Sequence, residues 1–329
     1  MIISKAPLRI SLAGGGSDLP TYFQEDEGKV LTLTIDKYVY LALHDYFAGG
    51  IRVAYSLVEQ VLQPNEINHP IFRETMKLLN FSESIEIGSF ADVPSNGTGL
   101  GSSSAFTNAL IVGLKRFRLE EFTQEEVAKL SCIVEIEKCK QPIGKQDQWS
   151  TALGGINLIN FHNDGSVTSD KISLKPEFSA AIDKSLRLFY LGFGRSAGAI
   201  LREQNRKLSG QSVEREIQRE MVRLVGPMRN ALENSNISEI GELLHLGWNL
   251  KRRLSNEISS GSIDQVYEVA LSAGALGGKV VGAGGGGFLL LCVPEENKVR
   301  FDNVFTGFRE LKFNLSFTGV TIAFDDRRV

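Results

Sequence analysis

The chain has 329 residues, 42% of them hydrophobic, enough for one large core or two modest ones and too many for a disordered polypeptide. A formal charge of -3 without any dense lysine or arginine run argues against a nucleic-acid partner, and no apolar run approaches the length of a membrane span. Cys132, Cys139 and Cys292 are odd in number and widely spaced, which suits a reducing, cytoplasmic setting with neither a disulfide framework nor a cysteine metal site.

In chain order, Ile2 to Leu12 reads as a strand carrying Lys5 and Arg9, broken by Gly14-Gly15-Gly16-Ser17-Asp18. Strand-like runs follow at Val30 to Ile35 and Val39 to Leu43. The stretch from Pro94 to Ala105 is different in kind. Gly97, Gly99 and Gly101 alternate there, so the backbone can curl tightly enough for successive amides to converge on an anion. Ser102, Ser103 and Ser104 follow with hydroxyls for a phosphate oxygen or a metal. Phe106, Leu110, Gly113, Leu114 and Phe117 then recur at helical spacing, so the loop opens onto a helix N-terminus whose partial positive charge adds to the pocket. A triphosphate fits that arrangement. The bland alternative is a flexible Gly/Ser turn; the short run, the abutting helix and Pro94 at its entry favour a phosphate cradle. No Gly-Lys followed by Ser or Thr closes the loop, so it is not a P-loop.

Thr123-Gln124-Glu125-Glu126 is a capping box opening a helix that buries Val127, Leu130 and Val134. Counted at about 100° per residue from Val127, Glu137 falls on the apolar face of that helix and Glu135 points elsewhere. An inward carboxylate is costly without a partner; magnesium is one, and a buried donor or escape to solvent are the alternatives. Asp147, in Gly144-Lys145-Gln146-Asp147-Gln148, taken alone is as well explained as a helix N-cap. Gly154-Gly155 precedes a strand from Ile156 to Ile159, and the polar stretch His162 to Ser173 is the expected boundary between two domains, 1–165 and 166–329. Long helical patterns cover Ala197 to Lys207, Val213 to Leu232 and Ile237 to Leu254, then a helix from Ile263 to Leu271. The glycine run Gly282 to Gly287 formally matches a dinucleotide fingerprint but leads into a strand, Phe288 to Val293, where the fingerprint needs a helix. So many glycines imply that something approaches the bare backbone. A last strand covers Val320 to Ala323.

Three motifs together resemble the GHMP kinase family: Ala6-Pro7-Leu8-Arg9-Ile10 with Gly14-Gly15-Gly16-Ser17-Asp18, Pro94 to Ala105, and Lys279 to Phe288. The resemblance covers essentially the whole chain. It implies an α+β, two-domain fold with an N-terminal ATP-binding domain like ribosomal protein S5 domain 2 and a ferredoxin-like C-terminal domain. It also implies ATP and Mg2+. Carried over by position, Asp147 becomes the catalytic carboxylate that receives or orients the acceptor proton, and Arg9 the basic residue beside it. Pro94, Gly97, Gly99, Leu100, Gly101, Ser102, Ser103 and Ser104 would hold the nucleotide, and Ser103 with Glu137 the metal. Gly15, Gly16, Ser17, Asp18, Arg195, Gly284 and Gly285 would bind the acceptor. Leu12 to Pro20, Gly194 to Ala197, Ile200 to Gln204 and Trp248 to Arg252 resemble the sugar branch of the family, whose acceptor would be the anomeric hydroxyl of a heptose already phosphorylated at C7. An L-fucose- or galactose-type sugar 1-kinase is the alternative; a mevalonate-type kinase or decarboxylase, or an inactive binding module, fits less well. A phosphorylated acceptor calls for cations away from the nucleotide loop, and Arg195, Arg202, Lys251, Arg252 and Arg253 form a pool of them, unless they are simply a solvated helix face. A homodimer is left open.

Overall fold

Among the described residues, twelve strands build two sheets. They are β1 (Ile2–Ala13), β2 (Gly28–Asp45), β3 (Ile51–Ala54), β4 (Val58–Val61), β5 (Ile85–Ala91), β6 (Ile156–Phe161), β7 (Val167–Ile172), β8 (Leu186–Gly192), β9 (Gly277–Val280), β10 (Gly287–Cys292), β11 (Arg309–Leu311) and β12 (Thr321–Asp325). The computed structural model describes the chain apart from residues 95–96, 193–196, 209–211 and 328–329. The larger sheet runs β12-β1-β2-β5-β3-β4, with β6 pairing β2 and β7 pairing β6; the smaller runs β11-β8-β10-β9. Only β3 and β5 pair in parallel among the described strands.

The two strand-like runs after residue 30 are one strand. β2 continues through Asp36 and Lys37 because these two bulge out of register: Tyr38 faces Pro7 while Ile35 faces Leu8. The Asp36 carboxylate fixes the bulge by accepting from the Asn314 amide and side chain, both at 2.9 Å. The expected helix Val213 to Leu232 is instead two, Val213–Arg223 and Val225–Glu233. Pro227 explains the break, since its ring meets the carbonyl four residues earlier, at Arg223, where the first helix stops.

The expected boundary at 165/166 falls inside the β6–β7 hairpin, and both strands belong to the larger sheet. The smaller sheet begins only at Leu186, and β12 returns at the end of the chain to pair with β1. The halves meet backbone to backbone. A Cβ on Gly99 would lie 2.4 Å from the Val281 carbonyl oxygen, and one on Gly287 would lie 2.5 Å from that of Gly97. What approaches the late glycine run is therefore the chain's own glycine loop, and side chains there would force the two apart.

Candidate active site

β1 carries Arg9 inward, 3% exposed, to a point where three segments meet. Its Nε donates to Asp147 Oδ1 at 2.8 Å and its Nη2 to Oδ2 at 2.6 Å, a two-pronged pair that fixes the carboxylate plane. Its Nη1 donates to the Gly99 carbonyl at 2.5 Å, and its backbone amide to the Leu100 carbonyl at 2.9 Å. Asp147 stands in the first turn of helix Gln146–Leu153, two residues past the N-cap Lys145, so it is free of capping and partly open to the cavity. Arg9, Asp147 and the glycine loop, 138 residues apart at the extremes, thus form one unit.

The loop itself takes left-handed φ at Gly97 (+72°), Gly99 (+72°) and Gly101 (+76°), angles that a side chain would strain, and Gly101 caps helix Ser102–Phe117. Gly97, Gly99, Gly101, Ser102, Ser103 and Ser104 all line a cavity of about 380 Å³. Two expected members do not. Leu100 is wholly buried with its carbonyl given to Arg9, and Pro94 is exposed outside the cavity.

The inward carboxylate is Glu135, a correction to the expectation for Glu137, which is exposed. Helix Gln124–Cys132 runs on as a π-helix, Ile133–Lys138, in which the Cys139 amide donates to the Val134 carbonyl at 2.8 Å. A five-residue hydrogen-bond step winds more slowly than an α-helix, so the α-helical count overshoots and rotates Glu135 in and Glu137 out. Glu135 accepts from Ser103 Oγ, from Ser104 Oγ at 2.6 Å and from Gln148 Nε2 at 2.7 Å. Complete burial raises its pKa, the three donors pulling the other way.

On the cavity wall beside Asp147, Asp18 is buried at 2% exposure and accepts from the Gly16 amide at 3.2 Å, the Gln146 amide at 3.1 Å and Gln146 Nε2 at 3.0 Å. Burial, with a further push from the Asp147 charge, raises its pKa to about 6. Gly144 is required here, since a Cβ would fall 2.0 Å from Asp18 Oδ2. Gly15 and Gly16 line the cavity with it, but Ser17 does not: its hydroxyl is spent on the Lys29 amide and carbonyl, both at 3.0 Å, and buckles the loop to β2. Of the late glycines, Gly284 lines the cavity whereas Gly285 gives its amide to the Ile258 carbonyl at 2.8 Å. Arg195 lies outside the described residues. Arg202 and Arg253 are exposed and Arg252 pairs with Asp264, so these three lie along solvated helix faces; Lys251 is buried and lines the cavity.

Sequence reasoning passed over Glu135, Gln146, Gln148 and Lys279. The first is hidden by the π turn, and the two glutamines need a partner to stand out. Lys279 did leave a trace, as the one charge in a run of small and apolar residues, Gly277-Gly278-Lys279-Val280-Val281.

The profile of the GHMP kinases N terminal domain matches residues 66–155 and that of the GHMP kinases C terminal domain residues 228–302, half of the chain between them. The chain belongs to the GHMP kinase family, has its fold, and is a phosphotransferase with an alcohol group as acceptor. It is 28% identical over 313 residues to the D-glycero-alpha-D-manno-heptose 7-phosphate kinase of Campylobacter jejuni, covering 90% of this chain and 91% of that protein. It is 25% identical to the bifunctional fucokinase/GDP-fucose pyrophosphorylase of Arabidopsis thaliana over 89% of this chain but only 30% of that protein. Among solved structures, a D-glycero-D-manno-heptose 1-phosphate kinase from Bacteroides thetaiotaomicron superposes with a TM-score of 0.78 at 23% identity, over 97% of this chain and 98% of that one. The galactokinase of Lactococcus lactis complexed with galactose gives 0.73 at 16% identity, over 97% and 94%.

Proposed function

We propose that this chain is an ATP-dependent sugar 1-kinase that phosphorylates the anomeric hydroxyl of D-glycero-D-manno-heptose 7-phosphate to the 1,7-bisphosphate, a step toward nucleotide-activated heptose. The observation that carries a phosphoryl transfer is the Arg9–Asp147 pair held against the Gly99 carbonyl: it sets a carboxylate at the end of an anion-binding loop, where an incoming alcohol must meet the γ-phosphoryl group. Asp147 takes or orients the hydroxyl proton, the new P–O bond forms to the sugar oxygen, and the bond between the γ-phosphorus and the bridging oxygen breaks to leave ADP. Arg9 holds Asp147 in line.

A polyhydroxyl acceptor is supported on the cavity wall beside Asp147. Ser11 Oγ and Gln146 Oε1 are buried atoms lining the cavity without a hydrogen-bond partner among the described residues, and Asp18 stands beside them. Unpaired polar atoms of this kind suit a ligand that presents several hydroxyls. Similarity to the heptose phosphate kinase over nearly the full chain favours the heptose; similarity to fucokinases keeps an unphosphorylated sugar as the second reading.

Ser103 and Glu135 fit a magnesium ion on donor chemistry, offering a hydroxyl and a carboxylate side by side at the first turn of the loop helix. Magnesium takes few protein ligands and leaves the rest of its shell to phosphate and water. Bound there with the nucleotide, it would offset charge on the β- and γ-phosphates.

The test is a panel of heptoses, heptose phosphates, fucose, galactose and mevalonate derivatives, incubated with ATP and magnesium and read by ADP release and product mass. The expected product is the heptose 1,7-bisphosphate. A heptose monophosphate formed from the free sugar, or a fucose or galactose 1-phosphate, would move the assignment to that sugar, and carbon dioxide release would move it to the decarboxylases. Asp147→Asn should lower turnover by about 10²- to 10⁴-fold while leaving ADP binding intact; near-normal turnover would reject its role.

A further inference from the structure

Two lysines of the second half stand in this cavity unused by the mechanism above. Lys279 projects from β9, and Lys251 from the last turn of helix Ile237–Leu254. Both are buried at 6% exposure and both line the cavity. Lys251 donates to the Gly282 carbonyl; the Lys279 ammonium has no hydrogen bond or ion pair among the described residues. The charges that act on them are cations: Lys251 feels Lys279 and Arg9, and Lys279 feels Arg9.

Neither lysine has a carboxylate partner among the described residues, and Asp147 is already held by Arg9 on two oxygens. Burial first, then mutual repulsion, lowers Lys279 to about 8 and Lys251 well below the ordinary lysine range. Packing alone does not require this, because an apolar side chain of similar volume would fill the same space without the desolvation cost. An excess of buried positive charge facing a cavity calls for an anion.

Position says which one. Gly282, whose carbonyl holds Lys251, is packed on the glycine loop so closely that a Cβ there would lie 2.5 Å from Gly99 Cα. Gly99 is also the residue whose carbonyl accepts from Arg9, the partner of Asp147. Lys251 thus stands where the loop meets Arg9, and Lys279, which lines the same cavity, is near enough to feel the Arg9 charge. A phosphate carried at the far end of a sugar whose reacting hydroxyl is held at Asp147 lies a sugar's width away from that point; the γ-phosphoryl group does not.

Resting on the kinase reading, we propose that Lys251 and Lys279 clamp the phosphoryl group during its transfer, and so distinguish the γ-phosphate of ATP from ADP. They exchange no atoms; their charge offsets what builds up on the equatorial oxygens while the bond to ADP breaks and the bond to the sugar forms.

The experiment uses Lys279→Met and Lys251→Met in the full chain, with magnesium present, titrated calorimetrically with ADP and with a non-hydrolysable ATP analogue. Turnover is measured with whichever sugar the wild type accepts. Each variant should keep its ADP affinity, which also reports an intact fold, lose about fivefold or more in affinity for the analogue relative to ADP, and lose about tenfold or more in kcat. Equal losses for both nucleotides, unchanged values for both, or a rise confined to the KM of the sugar would each overturn the proposal. Should a methionine variant fail to fold, Lys279→Gln and Lys251→Gln carry the same expectation. A wild type that bound neither nucleotide would sink the kinase reading and this proposal together, whereas an active wild type matched by its variants sinks the lysine clamp alone.

Discussion

At the scale of single residues, Asp18 shows how burial tunes a group that sequence can only locate. Its carboxyl lies between the Gly16 and Gln146 amides, and burial raises its pKa to about 6. A carboxyl raised in this way is neutral below that value and charged above it, so its capacity to accept hydrogen bonds from sugar hydroxyls grows as the pH rises through about 6. The expected outcome is a kcat/KM for the sugar that increases between about pH 5 and 7, with the rise absent in Asp18→Asn. A flat wild-type profile, or an unchanged slope in the variant, rejects the assignment. Lys279 is the counterpart, a residue visible in the sequence as an oddity whose meaning depends on burial next to Arg9.

Among the elements, the π turn Ile133–Lys138 decides which carboxylate reaches Ser103 and Ser104 behind the glycine loop. Glu135→Gln should raise the magnesium concentration needed for half-maximal turnover by about 10- to 100-fold, with Glu137→Gln close to wild type; the reverse order would return the metal to Glu137. Helix Ile237–Leu254 offers a second contrast within one element. A Cβ on Gly241 would lie 2.4 Å from the Leu276 Cβ, while one on Gly247 would meet only Leu224 at 3.6 Å. Gly247→Ala should stabilise the protein by up to about 1 kcal/mol through helix propensity, and Gly241→Ala should destabilise it by about 1–3 kcal/mol through overpacking. Urea unfolding of the two variants checks both signs, and a shared sign would show that contact with the smaller sheet does not limit this helix.

In the whole molecule, the two halves are locked together on opposite sides of the cavity. On one side the glycine loop and the run Val281–Gly287 interlock through bare backbone. On the other, Arg215 of helix Val213–Arg223 is wholly buried and donates to Asp26 at 2.8 Å and to the carbonyls of Thr21 at 3.0 Å, Tyr22 at 3.2 Å and Leu208 at 2.9 Å. One turn further, Gln218 donates to the Gly15 carbonyl at 3.2 Å, so this helix also sets the shape of the loop proposed to hold the sugar. Arg215→Met leaves Asp26 to Arg219 alone and removes the donor to the Thr21 and Leu208 carbonyls, and should cost about 1–3 kcal/mol. Thermal melts should show that loss, and the KM for the sugar should rise more than that for ATP. A variant that melts like wild type would show the clamp to be unimportant.

The glycine loop was legible in the chain because it rests on local backbone chemistry, whereas the roles of Arg9 and Asp147 were legible only through the family resemblance. Alternating glycines demand left-handed φ, and a serine run begins a helix. The choice of Glu135 over Glu137, the diversion of Ser17 to Lys29, the return of β12 to β1 and the burial of Lys251 and Lys279 were decided only in three dimensions. Helix winding, strand exchange and desolvation depend on what packs against a residue from distant parts of the chain, and a periodicity counted along one segment contains no term for those neighbours.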